Sequence, residues 1–133
     1  MASMNLNREA ALATAQRVLQ LESQALSGLL VQLDGAFCDA CEMLLCCNGR
    51  VIVSGMGKSG HIAHKIAASL ASTGTPSYFL HPAEGFHGDL GVVHRSDVLL
   101  ALSFSGETQE IVELLPAIKA LGAKVIAITG HAG

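Results

Sequence analysis

At 133 residues, half of them hydrophobic, the chain has the length of one domain and enough apolar content for a real core. Charged residues are only 14% and the net charge is −3 with no basic run, which excludes a disordered polyelectrolyte and argues against a nucleic-acid partner. One Tyr, four Phe and no Trp also leave few platforms on which bases would stack.

No apolar stretch has the length needed to span a bilayer, so no membrane partner is expected. Met1–Asn7 lacks the charged region and apolar core of a signal peptide, and Met1-Ala2-Ser3 ahead of Met4 is consistent with residues added before a natural start. Leu12, Ala15, Leu19, Leu26, Leu30 and Leu33 then recur at helical spacing, widened by Val18, Ala25 and Leu29. So broad an apolar stripe predicts burial against more than one surface, including a second subunit. A second helix is expected from Gly35 to Cys47, closed by Asn48-Gly49 as a C-cap pair. All four cysteines fall within Cys38–Cys47, which suits no long-range disulfide framework and points to a reduced, cytoplasmic chain. Cys38-x-x-Cys41 lacks a following ligand pair at zinc-finger spacing, so Cys38, Cys41 and Leu45 are expected as small core residues.

Beyond residue 50 the pattern changes to short apolar runs alternating with helical segments. Val51–Val53 is a strand, Ile62, Ala63, Ile66, Ala67 and Leu70 form a helix face ending near Gly74, and Ser77–Leu80 is a second strand. Val98–Leu102 and Lys124–Ile128 are a third and a fourth, separated by a helix with Ile111, Leu114, Leu115, Ile118 and Leu121 on its buried face. Strands that are apolar on both faces and alternate with helices predict an α/β fold, a doubly wound parallel sheet with flanking helices, preceded by two N-terminal helices. Ligands of such sheets bind beyond the carboxyl ends of the strands. A doubly wound domain continues past a fourth strand with a helix and a further strand, so the domain at 1–133 is expected to be incomplete at its C-terminus.

The candidate chemistry follows the strands. Ser54-Gly55-Met56-Gly57-Lys58-Ser59-Gly60 matches the dinucleotide fingerprint G-x-G-x-x-G between a strand and a helix. A dinucleotide site also needs an acidic residue closing the next strand; here that strand ends Phe79-Leu80-His81, with no carboxylate before Glu84. Gly57-Lys58-Ser59 resembles a P-loop, yet the required glycine falls at Ile52. What remains is an anion site at a helix N-terminus, with Gly57 and Ser59 in the turn and Lys58 adding a positive charge; a plain tight turn is the alternative. Ser103-Phe104-Ser105-Gly106-Glu107-Thr108 offers three hydroxyls around one glycine at a second helix N-terminus, suited to a phosphate monoester. Simple capping by Ser105 would need only one. After the second strand, His81–Leu90 gathers Glu84, His87 and Asp89, and His87 beside Gly88 is placed to be accessible. Glu110 falls in the first turn of the helix after the hydroxyl loop, as a base or as a carboxylate favourable to the helix dipole, a role open to Glu107 as well. His61 and His64 sit three apart on a helix without a carboxylate nearby, so no metal is assigned.

Read together, Val51–Gly60, Ser77–Leu90 and Ala101–Thr108 resemble the sugar-isomerase (SIS) family, above all the D-arabinose-5-phosphate isomerases, through the string from Val53 to Gly91, VSGMGKSGHIAHKIAASLASTGTPSYFLHPAEGFHGDLG. The resemblance implies a flavodoxin-like sheet, a phosphate held by Ser103, Ser105 and Thr108, and active-site positions at Lys58, Glu84, His87 and Glu110. It implies interconversion of D-ribulose 5-phosphate and D-arabinose 5-phosphate for synthesis of the lipopolysaccharide sugar Kdo. It also implies a homo-oligomer, with a tetramer favoured. Moving a carbonyl within one sugar needs no redox cofactor, in keeping with the failed dinucleotide pattern, so no cofactor is expected. His87-Gly88 further resembles the His-Gly segment of the related aminosugar-phosphate isomerases, in which a histidine reaching in from a neighbouring subunit helps to open the sugar ring. Members of the family continue with the rest of the SIS domain, including a further active-site histidine, and usually with paired CBS domains. A catalytically silent SIS sensor of sugar phosphates and a sedoheptulose-7-phosphate isomerase are the alternatives; the first would keep the hydroxyl loop and dispense with His87 and Glu110.

Overall fold

A computed structural model describes residues 6–85 and 88–131. They fall into two compact units that divide between Asp39 and Ala40. The first holds α1 (Arg8–Leu29), a 3-10 turn (Leu30–Gln32) and the start of α2 (Gly35–Leu45). Asn7 caps α1, its side chain accepting the Ala10 N–H at 3.0 Å. No residue of α1 is buried; Leu12, Leu19, Leu26 and Leu30 are each about two-thirds exposed. The expected helix is therefore present, and its apolar stripe is unburied in the single chain.

The second unit contains β1 (Val51–Gly55), α3 (Gly57–Ser72), β2 (Ser77–Phe79), the one-turn helix α4 (Pro82–Gly85), a 3-10 turn (Asp89–Val92), β3 (Val98–Ser103), α5 (Gln109–Ala120) and β4 (Lys124–Thr129). The strands form one parallel sheet in the order β2-β1-β3-β4. Alternate residues serve opposite faces, as the pleat requires. Ile52, Leu99 and Ala101 pack against Ile111, Leu114 and Ile118 of α5. Val51, Val53, Leu100 and Leu102 pack against Ala63 and Ala67 of α3, with Leu44 and Cys47 from around the end of α2. The central strands β1 and β3 are wholly buried, which is why they read as unbroken apolar runs.

The end of the sheet opposite the candidate site is tied by Asp97. Its fully buried carboxylate accepts the backbone N–H groups of Arg50 and His94, each at 2.8 Å, and faces the Arg50 guanidinium at 3.7 Å. Arg50 in turn lies over the Tyr78 ring and donates to the Val92 carbonyl. Gly49 belongs to this knot. It does not adopt the left-handed conformation of a helix cap; a Cβ there would fall 2.2 Å from Asp97 Oδ1.

Several packing expectations are corrected. Ile62 and Leu121 are exposed, at 53% and 42%, because each falls just off the stripe that its helix turns to the sheet. Cys38 and Leu45 are exposed and Cys41 is half-buried, so the α2 cysteines are not core residues of the single chain. Among the described residues no helix is long and apolar enough to cross a membrane.

Candidate functional site

The register pairs Gly55 of β1 with Leu102 of β3, so the two candidate loops leave the sheet side by side. The first is shorter than the sequence suggests. Met56 alone links β1 to α3, and the helix starts at Gly57. Gly57 has φ +54°, a left-handed conformation natural to glycine. Gly55 and Gly60 are required by proximity instead: a Cβ on Gly60 would lie 2.8 Å from the Gly55 carbonyl oxygen, and one on Gly55 2.9 Å from the Ser59 backbone. No side chain caps α3, so its first N–H groups stay available to a ligand. Lys58 is exposed and Ser59 half-buried at that opening. Buried Ser54 donates to the Leu80 carbonyl at 2.7 Å and joins the end of β1 to the chain after β2.

The second loop is held by its own hydroxyls. Ser103 Oγ and Thr108 Oγ1 share a hydrogen bond of 2.7 Å, and Ser103 Oγ also accepts the Gly106 N–H at 3.1 Å. Gly106 turns the chain with φ +74°. Ser105 is directed elsewhere, accepting the Glu107 N–H at 3.1 Å. It therefore does not cap α5; Thr108 occupies the cap position, and its side chain makes no capping bond. The N-terminus of α5 is open, with the Ser103–Thr108 pair beside it. Three hydroxyls are thus present as expected, two of them joined and the third turned to the loop backbone.

A cavity of about 390 Å³ opens beside this loop. Ser103, Ser105, Gly106, Glu107, Thr129 and His131 line it together with apolar side chains of β3, α5 and β4, among them Ile111, Leu115 and Ile128; Thr108 does not line it. Sequence reasoning left out Thr129 and His131, although Thr129 ends β4 as Ser103 ends β3 and His131 lies two residues beyond. Thr129 Oγ1 exchanges hydrogen bonds with the His131 backbone at 2.9 and 3.0 Å, and the Gly130 N–H donates to the Phe104 carbonyl at 3.0 Å. The Phe104 and His131 rings meet edge to face. The turn after β4 therefore buttresses the hydroxyl loop.

The remaining candidates are dispersed. Glu110 is half-buried in the first turn of α5 and is not in the cavity wall, whereas Glu107 is. Glu84 is exposed on α4. His87 lies outside the described residues, as does the side chain of Asp89. A smaller pocket, about 240 Å³, opens at the ends of β1 and β2, lined by His61, His64, Phe79 and His81 around Gly55, Gly57 and Gly60. Among the described residues no group of three or more His, Cys, Asp or Glu side chains is arranged to hold a metal ion.

Two loops, one rich in glycine and one in hydroxyls, stand at neighbouring strand ends of one parallel sheet, and residues 43–133 match the SIS domain family. The chain belongs to the SIS-domain family. It is 58% identical over 118 residues to the arabinose 5-phosphate isomerase KdsD of Pseudomonas aeruginosa, covering 89% of this chain and 36% of that protein. An Escherichia coli protein solved in complex with arabinose 5-phosphate superposes with a TM-score of 0.87 at 40% identity, over 93% of this chain and 66% of that one. A candidate sugar-phosphate isomerase from Listeria monocytogenes superposes with a TM-score of 0.89 at 32% identity, over 96% and 67% of the respective chains. The SIS chain thus spans little more than a third of the length of the curated relatives it matches.

Proposed function

We propose that this SIS chain carries the sugar-phosphate site of an aldose–ketose isomerase that interconverts D-ribulose 5-phosphate and D-arabinose 5-phosphate, supplying Kdo for lipopolysaccharide. The observation that carries this reading is the Ser103–Thr108 hydroxyl pair at the uncapped N-terminus of α5. Hydroxyl donors, free backbone N–H groups and the positive end of the helix dipole meet where a phosphate monoester would sit. The 58% identity with an arabinose 5-phosphate isomerase supports the choice of sugar.

With the phosphate held there, moving the carbonyl between C1 and C2 requires ring opening, proton transfer and stabilisation of an enediolate. Glu110 is assigned as the base: it takes the proton from C2 of the open aldose and returns it to C1, with Glu84 as the second candidate. His87 is assigned to ring opening and to moving the proton between the two oxygens. Lys58, at the mouth of the neighbouring loop, offsets the negative charge that develops on the enediolate. The transfer is internal to the substrate and calls for no redox cofactor.

The same reading includes a cytoplasmic homo-oligomer, a tetramer by family resemblance, in which the exposed leucines of α1 meet another subunit. Apolar stripes of that extent are uncommon on monomers. Sedimentation at micromolar concentration is expected to give an oligomer; a monomer would remove this part of the proposal. The function itself is tested by incubating ribulose 5-phosphate with this chain, and with a form extended to the length of its relatives, and identifying the product sugar. Formation of arabinose 5-phosphate supports it; sugar-phosphate binding without turnover by the extended form would favour a sensor instead.

A further inference from the structure

The two edges of the sheet differ. Edge strands are commonly blunted by shortness, a proline, a bulge or a charge within the strand. β2 is three residues long and half-buried. β4 has six residues, four of them exposed, and uses none of these devices. It pairs with β3 without a break from Lys124 to Thr129, contains no proline, and carries its one charge, Lys124, at the first position. Between lies Val125-Ile126-Ala127-Ile128, an apolar run rich in β-branched residues, with Ile128 52% exposed. The N–H and C=O groups that such a strand turns away from its neighbour are a template for another strand.

The length of the chain narrows what could fill it. Positions outside the described residues are 1–5, 86–87 and 132–133, and none of these runs matches the six residues of β4. The occupant of the edge in this 133-residue chain is therefore another molecule. The interior of β4 has no charge for an acidic or basic partner to recognise, but it complements itself. Val125 packs towards α5 and Ile126 towards α3, so odd and even positions serve opposite faces. Residues opposed across an antiparallel pair share a face. A two-fold axis through Ala127, perpendicular to the sheet, meets that condition. It sets Ile126 against Ile128 of the second copy and Val125 against Thr129, and leaves Lys124 outside the paired run.

We propose that β4 is a self-association edge: in the 133-residue chain a second copy pairs with it in antiparallel register, where a doubly wound sheet would add a further strand. This contact is separate from the apolar stripe of α1 and does not depend on the sugar-phosphate reading. Backbone hydrogen bonds and the Ile126–Ile128 contacts hold it. One short strand pair buries less than the roughly 1,200–2,000 Å² of a stable interface, so the association is weak and depends on concentration.

Amide hydrogen exchange of Val125–Thr129, read from low micromolar to near-millimolar chain, tests it. Two variants accompany the unaltered chain: Ile128→Lys, which puts a charge on the edge at an exposed position, and Leu19→Glu with Leu26→Glu, which charges the stripe of α1. In the unaltered chain the β4 amides that face away from β3 should exchange several-fold more slowly as concentration rises. That dependence should vanish in Ile128→Lys and persist in the α1 variant. Exchange in β4 that ignores concentration overturns the proposal. So does a dependence that survives Ile128→Lys and disappears in the α1 variant, since α1 would then be the contact. Should Ile128→Lys fail to fold, the unaltered chain and the α1 variant decide. Slowing with concentration in both supports the edge, and equal protection at all concentrations places a segment of the same chain there instead.

Discussion

The β1–α3 and β3–α5 connections occupy equivalent places on neighbouring strands, yet they present hydrogen-bond donors by opposite means. The first strips side chains away. Gly55 and Gly60 press strand end and helix turn together, Met56 alone bridges them, and the helix N–H groups are left bare beside Lys58. The second adds side chains. Ser103, Ser105 and Thr108 occupy the loop, and the hydroxyls are held in place by bonds among themselves and to the loop backbone. One connection is a steric solution and the other a hydrogen-bonded one. They should therefore fail differently when altered: the first in stability, the second in affinity.

The largest expected effect lies in chemistry beside the hydrogen-bonded loop. Glu110→Gln preserves shape and removes basicity, so exchange of deuterium from heavy water into the sugar should fall by roughly 10²–10⁴, the usual contribution of a general base. Phosphate affinity should be nearly unchanged. If exchange persists in Glu110→Gln and is lost in Glu84→Gln, the base is Glu84. Next comes the steric connection. Gly60→Ala places a methyl group 2.8 Å from the Gly55 carbonyl oxygen, and overpacking of this kind costs about 1–3 kcal/mol. Urea unfolding should show a lowered midpoint with the slope retained. A neutral result would mean that the turn has room the geometry denies.

Smaller effects separate the hydroxyls. Thr108→Val removes the partner of Ser103 at the open end of α5 and should weaken sugar-phosphate binding by about 1 kcal/mol or more. Ser105→Ala should cost less, because Ser105 is directed to the Glu107 N–H; about 0.5–1 kcal/mol is expected for a neutral hydrogen bond. Calorimetric titration of the pair checks the order. Unchanged affinity in both variants would take this loop out of the site, and a larger loss for Ser105→Ala would mean that its hydroxyl turns to the ligand on binding.

The legibility of these features follows their physical range. The central strands were readable because a strand buried on both faces needs an unbroken apolar run, as Val51–Val53 and Val98–Leu102 show. The loops were readable because glycine and hydroxyl residues at a strand–helix junction restrict what the backbone can do there. The reasons for individual residues were less accessible. Gly49, a plausible helix cap by spacing, is a glycine because Asp97 from 48 residues further on occupies the space beside it. Ile62 and Leu121 fit a helical stripe in sequence and miss the sheet in space.

The sequence by itself determined the α/β class, the succession of elements, the hydroxyl loop and the resemblance to the SIS family, because each depends on local backbone preference or on periodic burial within one segment. Only the tertiary structure decided that Thr129 and His131 share a cavity with Ser105, and that His61, His64 and His81 surround one pocket. Those groupings depend on strand order. The sheet runs β2-β1-β3-β4, so residues distant in the chain become neighbours at the strand ends. No local pattern encodes which strands will be adjacent; that is settled by packing the whole sheet between its helices.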